Sequence, residues 1–233
     1  MNLKRIKEAV ISDGFFTDKE PFYLDNYEEY FNNLRGKKIS LLEIGIGNGG
    51  SLLMWAKYFK DALIYGIDMK KALPQAFKEY VNSKGYSSSI KTVLGFEIPG
   101  DNIPLVARQH LFHEMLGNIM FDVILDDGAH TYTHTKGAFE VLFFDYLKPG
   151  GLYIIEDWGT TYFPGWPDGS FNGEDGMAKI IKELYDEVAL VDRLKGQKKS
   201  IQGVTSLISS VTIKLGQIWV TKNIVQNSLT EKV

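Results

Sequence analysis

Two short acidic runs, each directly behind a run of apolar residues, are where this sequence could do chemistry. One reads Phe121-Asp122-Val123-Ile124-Leu125-Asp126-Asp127-Gly128-Ala129-His130 and the other Gly151-Leu152-Tyr153-Ile154-Ile155-Glu156-Asp157-Trp158. Phe121–Leu125 and Gly151–Ile155 have the character of buried strands, and in an open α/β sheet the ligand lies beyond the carboxyl ends of the strands. Asp126, Asp127, His130, Glu156 and Asp157 are therefore expected to converge on one edge. Four carboxylates there repel one another and raise each other's pKa unless a cation compensates. Oxygen ligands favour Mg²⁺ or a similar hard ion, which keeps waters that a substrate can displace. Adjacent strand residues point to opposite faces, so Glu156 and Asp157 can share an ion only if the strand has already ended. The plainer alternative is that the acidic ends cap neighbouring helices. His130, whose imidazole titrates near neutrality, suits a general base. His130 and His134 would share a helix face, but Thr131 stands where the glutamate of a zinc H-E-x-x-H motif belongs.

A second constellation is Glu43-Ile44-Gly45-Ile46-Gly47-Asn48-Gly49-Gly50, between a predicted strand and a predicted helix. Gly45, Gly47 and Gly50 satisfy G-x-G-x-x-G, the dinucleotide pattern. Glu43, Gly45, Gly47 and Gly49 equally satisfy the acidic-x-G-x-G-x-G pattern of methyltransferases. Both use glycine for a tight turn that lets the backbone approach a ligand. Glu43 suits a cationic ligand better than a pyrophosphate at a helix N-terminus. Asp68, ending the next strand, can accept ribose hydroxyls in either family. The methyltransferase reading is preferred, and an NAD-dependent oxidoreductase is the alternative.

The elements that must position these groups alternate. Strands are predicted at Ile39–Ile44, Ala62–Ile67, Ile90–Leu94, Phe121–Leu125 and Gly151–Ile155. Helices are predicted at Ser51–Phe59, Ala72–Val81, about Pro104 to Leu116, and Thr135–Leu147. This alternation implies parallel βαβ units with helices on both sheet faces. A further helix carries Met177, Ile180, Ile181, Leu184, Tyr185, Val188 and Val191 on one stripe. Two closing runs, Val204–Ile213 and Gln217–Thr221, flank Leu215-Gly216 and predict an antiparallel hairpin. The expected fold is thus α/β and Rossmann-like, a mostly parallel sheet with a C-terminal antiparallel hairpin. The expected organisation is one domain over 1–233: a helical segment to residue 36, a cofactor-binding core over 37–158, an aromatic and glycine-rich loop over 159–175, and a C-terminal helix and hairpin. The loop's Trp158, Tyr162, Phe163, Trp166 and Phe171 either line an acceptor pocket or simply pack the loop.

Composition narrows the partners. The 233 residues are 44% hydrophobic and 24% charged, with net charge −3, which predicts no general attraction to nucleic acid or an anionic membrane. Zero cysteines exclude a disulfide framework, a thiolate metal site and a cysteine nucleophile. The N-terminus has no signal-peptide core and no run is long and apolar enough for a bilayer, so a cytoplasmic protein is expected. Walker and G-x-S-x-G motifs are missing, which removes the commonest NTPase and serine-hydrolase readings.

The segments Leu41–Leu52, Asp126-Asp127-Gly128-Ala129-His130 and Ile155-Glu156-Asp157-Trp158-Gly159-Thr160-Thr161-Tyr162 together resemble the metal-dependent O-methyltransferases that modify sugars on macrolides and related antibiotics. The resemblance runs over roughly residues 15 to 165 and extends to proteins labelled cephalosporin hydroxylase. It implies S-adenosyl-L-methionine and Mg²⁺ as cofactors, with Asp127, Glu156 and Asp157 as metal ligands and His130 as catalytic base. The cofactor residues expected with it are Tyr23, Glu43, Gly45, Gly47, Asn48, Gly49, Ser51, Asp68 and Asp126. Many relatives carry His-x-Tyr before the first helix; here the segment is Pro21-Phe22-Tyr23, which keeps the tyrosine alone. The implied partner is a small-molecule acceptor, a natural-product sugar or alternatively a catechol, whose vicinal hydroxyls chelate the metal. The oligomeric state is left open, a homo-oligomer included.

Overall fold

The computed structural model describes residues 1–190 and 207–224. Its parallel strands are β1 (Ser40–Ile44), β2 (Leu63–Asp68), β3 (Ile90–Leu94), β4 (Phe121–Asp126) and β5 (Leu147–Glu156). Between them run the helices α3 (Gly50–Tyr58), α4 (Gln75–Ser83), α5 (Leu105–Leu116) and α6 (Tyr132–Val141). Two helices, α1 (Leu3–Ser12) and α2 (Pro21–Phe31), precede the sheet, and α7 (Ala178–Leu190) follows it. The hairpin of β6 (Ile208–Lys214) and β7 (Gln217–Lys222) completes a seven-stranded sheet in the order β3-β2-β1-β4-β5-β7-β6. β7 lies antiparallel against β5, and β6 forms the edge. The expected architecture is therefore present: a mostly parallel sheet with helices on both faces and an antiparallel hairpin at one side. Residues 204–206 of the first hairpin run, and Val191 of the helical stripe, lie outside the described residues.

Side-chain parity divides the interior in two. Leu41, Ile64, Val123, Leu125, Ile154 and Trp219 face α1–α4, whereas Leu42, Ile44, Ile67, Ile124, Tyr153, Ile155 and Ile218 face α5–α7. That period of two is the strand's own geometry, and it decides which carboxylates can meet.

Element limits shift where local chemistry intervenes. Pro74 is the N-cap of α4, which starts at Gln75 rather than Ala72, because a residue preceding proline is turned away from helix. The helix expected over Thr135–Leu147 ends at Val141 and widens into a π-helical turn over Leu142–Tyr146. Lys222 Nζ donates to the carbonyls of Phe143, Phe144 and Leu147 at 2.7–2.8 Å, satisfying groups that a helix end leaves unpaired. β5 begins at Leu147 instead of Gly151, pairing with Phe121 before a register shift.

α1 and α2 bury Leu3, Ile6 and Val10, and Tyr23, Leu24, Tyr27 and Phe31, respectively. The connector between them passes over the carboxyl ends of the strands. A Cβ on Gly50 would lie 1.9 Å from the Phe16 carbonyl oxygen, so this connector rests directly on the start of α3. Among the described residues no helix is long and apolar enough to cross a membrane.

Candidate active site

The glycine loop turns between β1 and α3. Gly45 has φ +79°, and a Cβ there would meet the Asp127 carbonyl oxygen at 2.0 Å, so only glycine lets the β1 and β4 ends lie this close. Gly47 has φ +54° with nothing near its missing Cβ; its glycine serves the left-handed backbone and leaves open space above it. Asp68 staples the loop. Its Oδ2 accepts from the amides of Ile46 (3.0 Å) and Gly47 (2.9 Å), and its Oδ1 accepts from Lys70 N (2.8 Å).

Two hollows meet at Gly45, Asp68 and Gly128. One, of about 310 Å³, is polar and is lined by Phe16, Thr17, Gly47, Asn48, Ser51, Lys70 and His130 among others. The other, of about 210 Å³, is largely apolar, with Ile44, Ile67, Met69, Phe96, Ile98, Ala129 and His134. Such a pair fits an elongated ligand with a flat apolar end, a polar end and a hydroxylated link beside Asp68.

The acidic strand ends sort by parity. β4 ends at Asp126 and β5 at Glu156. Asp126 falls on the α5–α7 side, where Tyr153 OH donates to its Oδ2 (3.1 Å) and burial raises its pKa to about 7; it lines neither hollow. Glu156 falls on the α1–α4 side and is buried, its carboxylate taken by Lys19, Tyr27 and Gln217. Asp127 and Asp157 lie just past the strands at the rim. Asp157 has a left-handed backbone (φ 56°), as does His130 (φ 49°), a conformation that costs a non-glycine residue about 1–2 kcal/mol.

Lys19, from the α1–α2 connector, is the centre of the buried side. Its Nζ lies 2.5 Å from Asp127 Oδ2, 2.6 Å from Glu156 Oε2 and 3.1 Å from Glu43 Oε1. Burial alone would lower its pKa, but the charges of Asp127, Glu156 and Glu43 outweigh that and hold it well above the usual lysine value. Glu43 is fully enclosed, its Oε2 accepting from Ser51 Oγ (2.7 Å) and Trp55 Nε1 (3.2 Å). Burial raises its pKa and Lys19 opposes the shift. The positive partner of Glu43 is thus a lysine of the same chain, beneath the loop.

On the rim side three donor atoms remain open together. Asp127 gives Oδ2 to Lys19, and Asp157 gives Oδ1 to Tyr23 OH (2.5 Å). Their other oxygens face one imidazole: His130 Nε2 lies 3.6 Å from Asp127 Oδ1 and 3.7 Å from Asp157 Oδ2. One ligand atom from each of Asp127, His130 and Asp157 lies within 4.8 Å of the other two, a spacing that could hold one ion. Burial pushes the His130 pKa below its usual value, against the pull of Asp157 and Glu156.

The sequence also matches a known family. Residues 42–158 match the model of a methyltransferase domain family. The chain belongs to this methyltransferase family. The match decides between the two readings of the glycine loop, against the oxidoreductase. Relatives of this chain include the demethylmacrocin O-methyltransferase of Streptomyces fradiae, 33% identical over 72% of this chain and 40% of that one. The mycinamicin VI 2''-O-methyltransferase of Micromonospora griseorubida is 32% identical over 67% and 37%. The chain thus spans less than half the length of these curated relatives. Among solved structures it is similar to the MycE methyltransferase of mycinamycin biosynthesis in complex with Mg and SAH. That match is 25% identical with TM-score 0.73, covering 96% of this chain and 55% of that one.

Of the residues expected at the site, Gly45, Gly47, Asn48, Ser51 and Asp68 line the polar hollow with Asp127 and His130. Gly49 faces the ring of Phe77, and Tyr23 reaches Asp157 and the Gly216 carbonyl. His134 accompanies Thr131 Oγ1 at 2.8 Å and lines the apolar hollow, apart from the His130 group. Sequence reading missed Lys19 and Tyr27. A lysine in a polar connector reads as solvated, and Tyr27 reads as part of an apolar stripe; neither spacing reports the carboxylates they meet.

Proposed function

We propose that this methyltransferase moves the methyl group of S-adenosyl-L-methionine to a hydroxyl of a small-molecule sugar, with a divalent metal and His130 at the reacting end. The observation that carries this is the cluster of Asp127, Asp157 and His130, of which Asp127 and His130 line the glycine-loop hollow. Two free carboxylate oxygens fit Mg²⁺, which usually takes one or two protein carboxylates and keeps its other positions for water and substrate. Such an ion prefers oxygen to imidazole nitrogen, which leaves His130 Nε2 free for a proton. Glu156, the third ligand that family resemblance implies, has its oxygens engaged by Lys19 and Tyr27, so Asp127 and Asp157 are the preferred pair. When bound, the metal would hold and acidify the acceptor hydroxyl, and adenosylmethionine would supply an electrophilic methyl.

The chain's residues do the rest. Asp68 and the open turn at Gly47 orient the cofactor, whose apolar base fits the hollow of Ile44, Ile67 and Phe96. His130 Nε2 takes the hydroxyl proton as the oxygen attacks; its lowered pKa keeps it neutral and able to accept. Bringing the two substrates together supplies much of the acceleration. The sugar acceptor is supported by similarity to O-methyltransferases named for glycosylated substrates, a rhamnosyl tetracenomycin and an L-olivosyl-oleandolide.

Chelation tests the reading. EDTA should abolish methyl transfer to mycinamicin VI or a related glycoside and leave adenosylmethionine binding intact; undiminished turnover in EDTA would overturn the metal role.

A further inference from the structure

Among the described residues, His130 and Asp157 are the two non-glycine positions with left-handed backbone. They stand on different strand ends, yet one side chain joins them. Thr160 Oγ1 lies 2.9 Å from the Asp157 carbonyl oxygen and 3.2 Å from that of His130. A hydroxyl carries one hydrogen, so the two carbonyls share it. Thr160 N–H adds a bond to the Asp157 carbonyl (3.1 Å). Trp166 Nε1–H completes the other side, donating to the His130 carbonyl at 2.8 Å. Two residues on, Tyr132 N–H donates to Asp168 Oδ2 at 2.6 Å, so the same loop also caps α6.

That loop is stiff. Phe163, Trp166 and Gly169 amides bond successively to the carbonyls of Thr160, Phe163 and Trp166 at 2.8–3.0 Å. A Cβ on Gly169 would lie 1.9 Å from the Phe163 carbonyl oxygen. A tightly folded loop that grips both strained residues by their backbones sets where their side chains point.

We propose that Thr160 is a positioning residue: its hydroxyl, bridging the Asp157 and His130 carbonyls, holds Asp157 Oδ2 and His130 Nε2 at their working separation, with Trp166 bracing the His130 side. This rests on the reading of Asp157 as a metal ligand, and it adds a residue that touches neither metal nor substrate. Groups that orient metal ligands typically cost 10–100-fold in affinity when removed.

The test uses Mn²⁺ alone, followed by electron paramagnetic resonance, on the full chain. Thr160→Val keeps the shape and removes the hydroxyl; Mn²⁺ affinity should fall about 10-fold, while SAH affinity by calorimetry stays unchanged. Thr160→Ser, which restores the donor, should bind Mn²⁺ like the parent. Thr160→Ala, which removes the hydroxyl without filling its place, should also weaken Mn²⁺ without touching SAH, which keeps the test available if the valine variant does not fold. Asp157→Asn separates the two levels. If it loses Mn²⁺ while Thr160→Val and Thr160→Ala bind normally, the bridge is refuted and the metal reading stands. Equal losses for the valine and serine variants would also refute it, since the hydroxyl would then be irrelevant. If the parent binds no Mn²⁺, or Asp157→Asn binds it unchanged, the metal reading and the bridge fall together.

Discussion

Lys19→Met removes the buried cation while keeping a chain of similar length. Lys19 Nζ is within 3.1 Å of Glu43, Asp127 and Glu156, and Glu43 and Glu156 are almost entirely shielded from water. Deleting one partner of a buried ion pair costs about 3–5 kcal/mol, because the remaining charge stays buried and unpaired. Here one cation serves three anions, which places the expected loss at the upper end. Against a total stability of about 5–15 kcal/mol, the variant still folds, with a melting temperature lower by about 6–20 °C at about 2–4 °C per kcal/mol. Urea unfolding followed by tryptophan fluorescence reads this directly, since Trp55 and Trp219 are buried in the same core that Lys19 closes. Adding Glu156→Gln to Lys19→Met should recover part of the loss by removing one unpaired anion. A loss below about 1 kcal/mol, the value of an exposed ion pair, would refute the idea that Lys19 neutralises this cluster.

Three further outcomes are expected. His130→Ala should lower turnover by about 10²–10⁴-fold, the usual share of a general base, while leaving adenosylmethionine affinity by calorimetry unchanged. Gly50→Ala drives a Cβ into the Phe16 carbonyl; it should cost about 1–3 kcal/mol of stability, as overpacking does, and weaken cofactor binding because the displaced connector carries Phe16 and Thr17 of the polar hollow. Asp126 has a folded-state pKa raised to about 7 by burial, so its contribution to stability is full below about pH 4 and is lost as pH rises through 7. Asp126→Asn should remove that decline, and thermal melts of the two proteins between pH 5 and 8 should diverge; parallel curves would contradict the assignment.

How much was legible in the sequence follows from which interactions are local. The alternation of strands and helices, the glycine loop after β1, the closing hairpin and the presence of acidic groups at the ends of β2, β4 and β5 all rest on periodicities and turn chemistry within a few residues of each position. Periodicity also contained the rule that adjacent strand residues part to opposite faces, but not where each strand stops. The tertiary structure decided that. β4 and β5 end at Asp126 and Glu156, so Asp126 is turned beneath the sheet, Glu156 is enclosed with Lys19 and Tyr27, and only Asp127 and Asp157 reach the rim with His130. Lys19 is 108 residues from Asp127 and 137 from Glu156, and Thr160 meets His130 across 30. No local pattern encodes contacts of that span. They exist because the sheet order places β1, β4 and β5 side by side, and because two loops distant in sequence cross the same carboxyl edge.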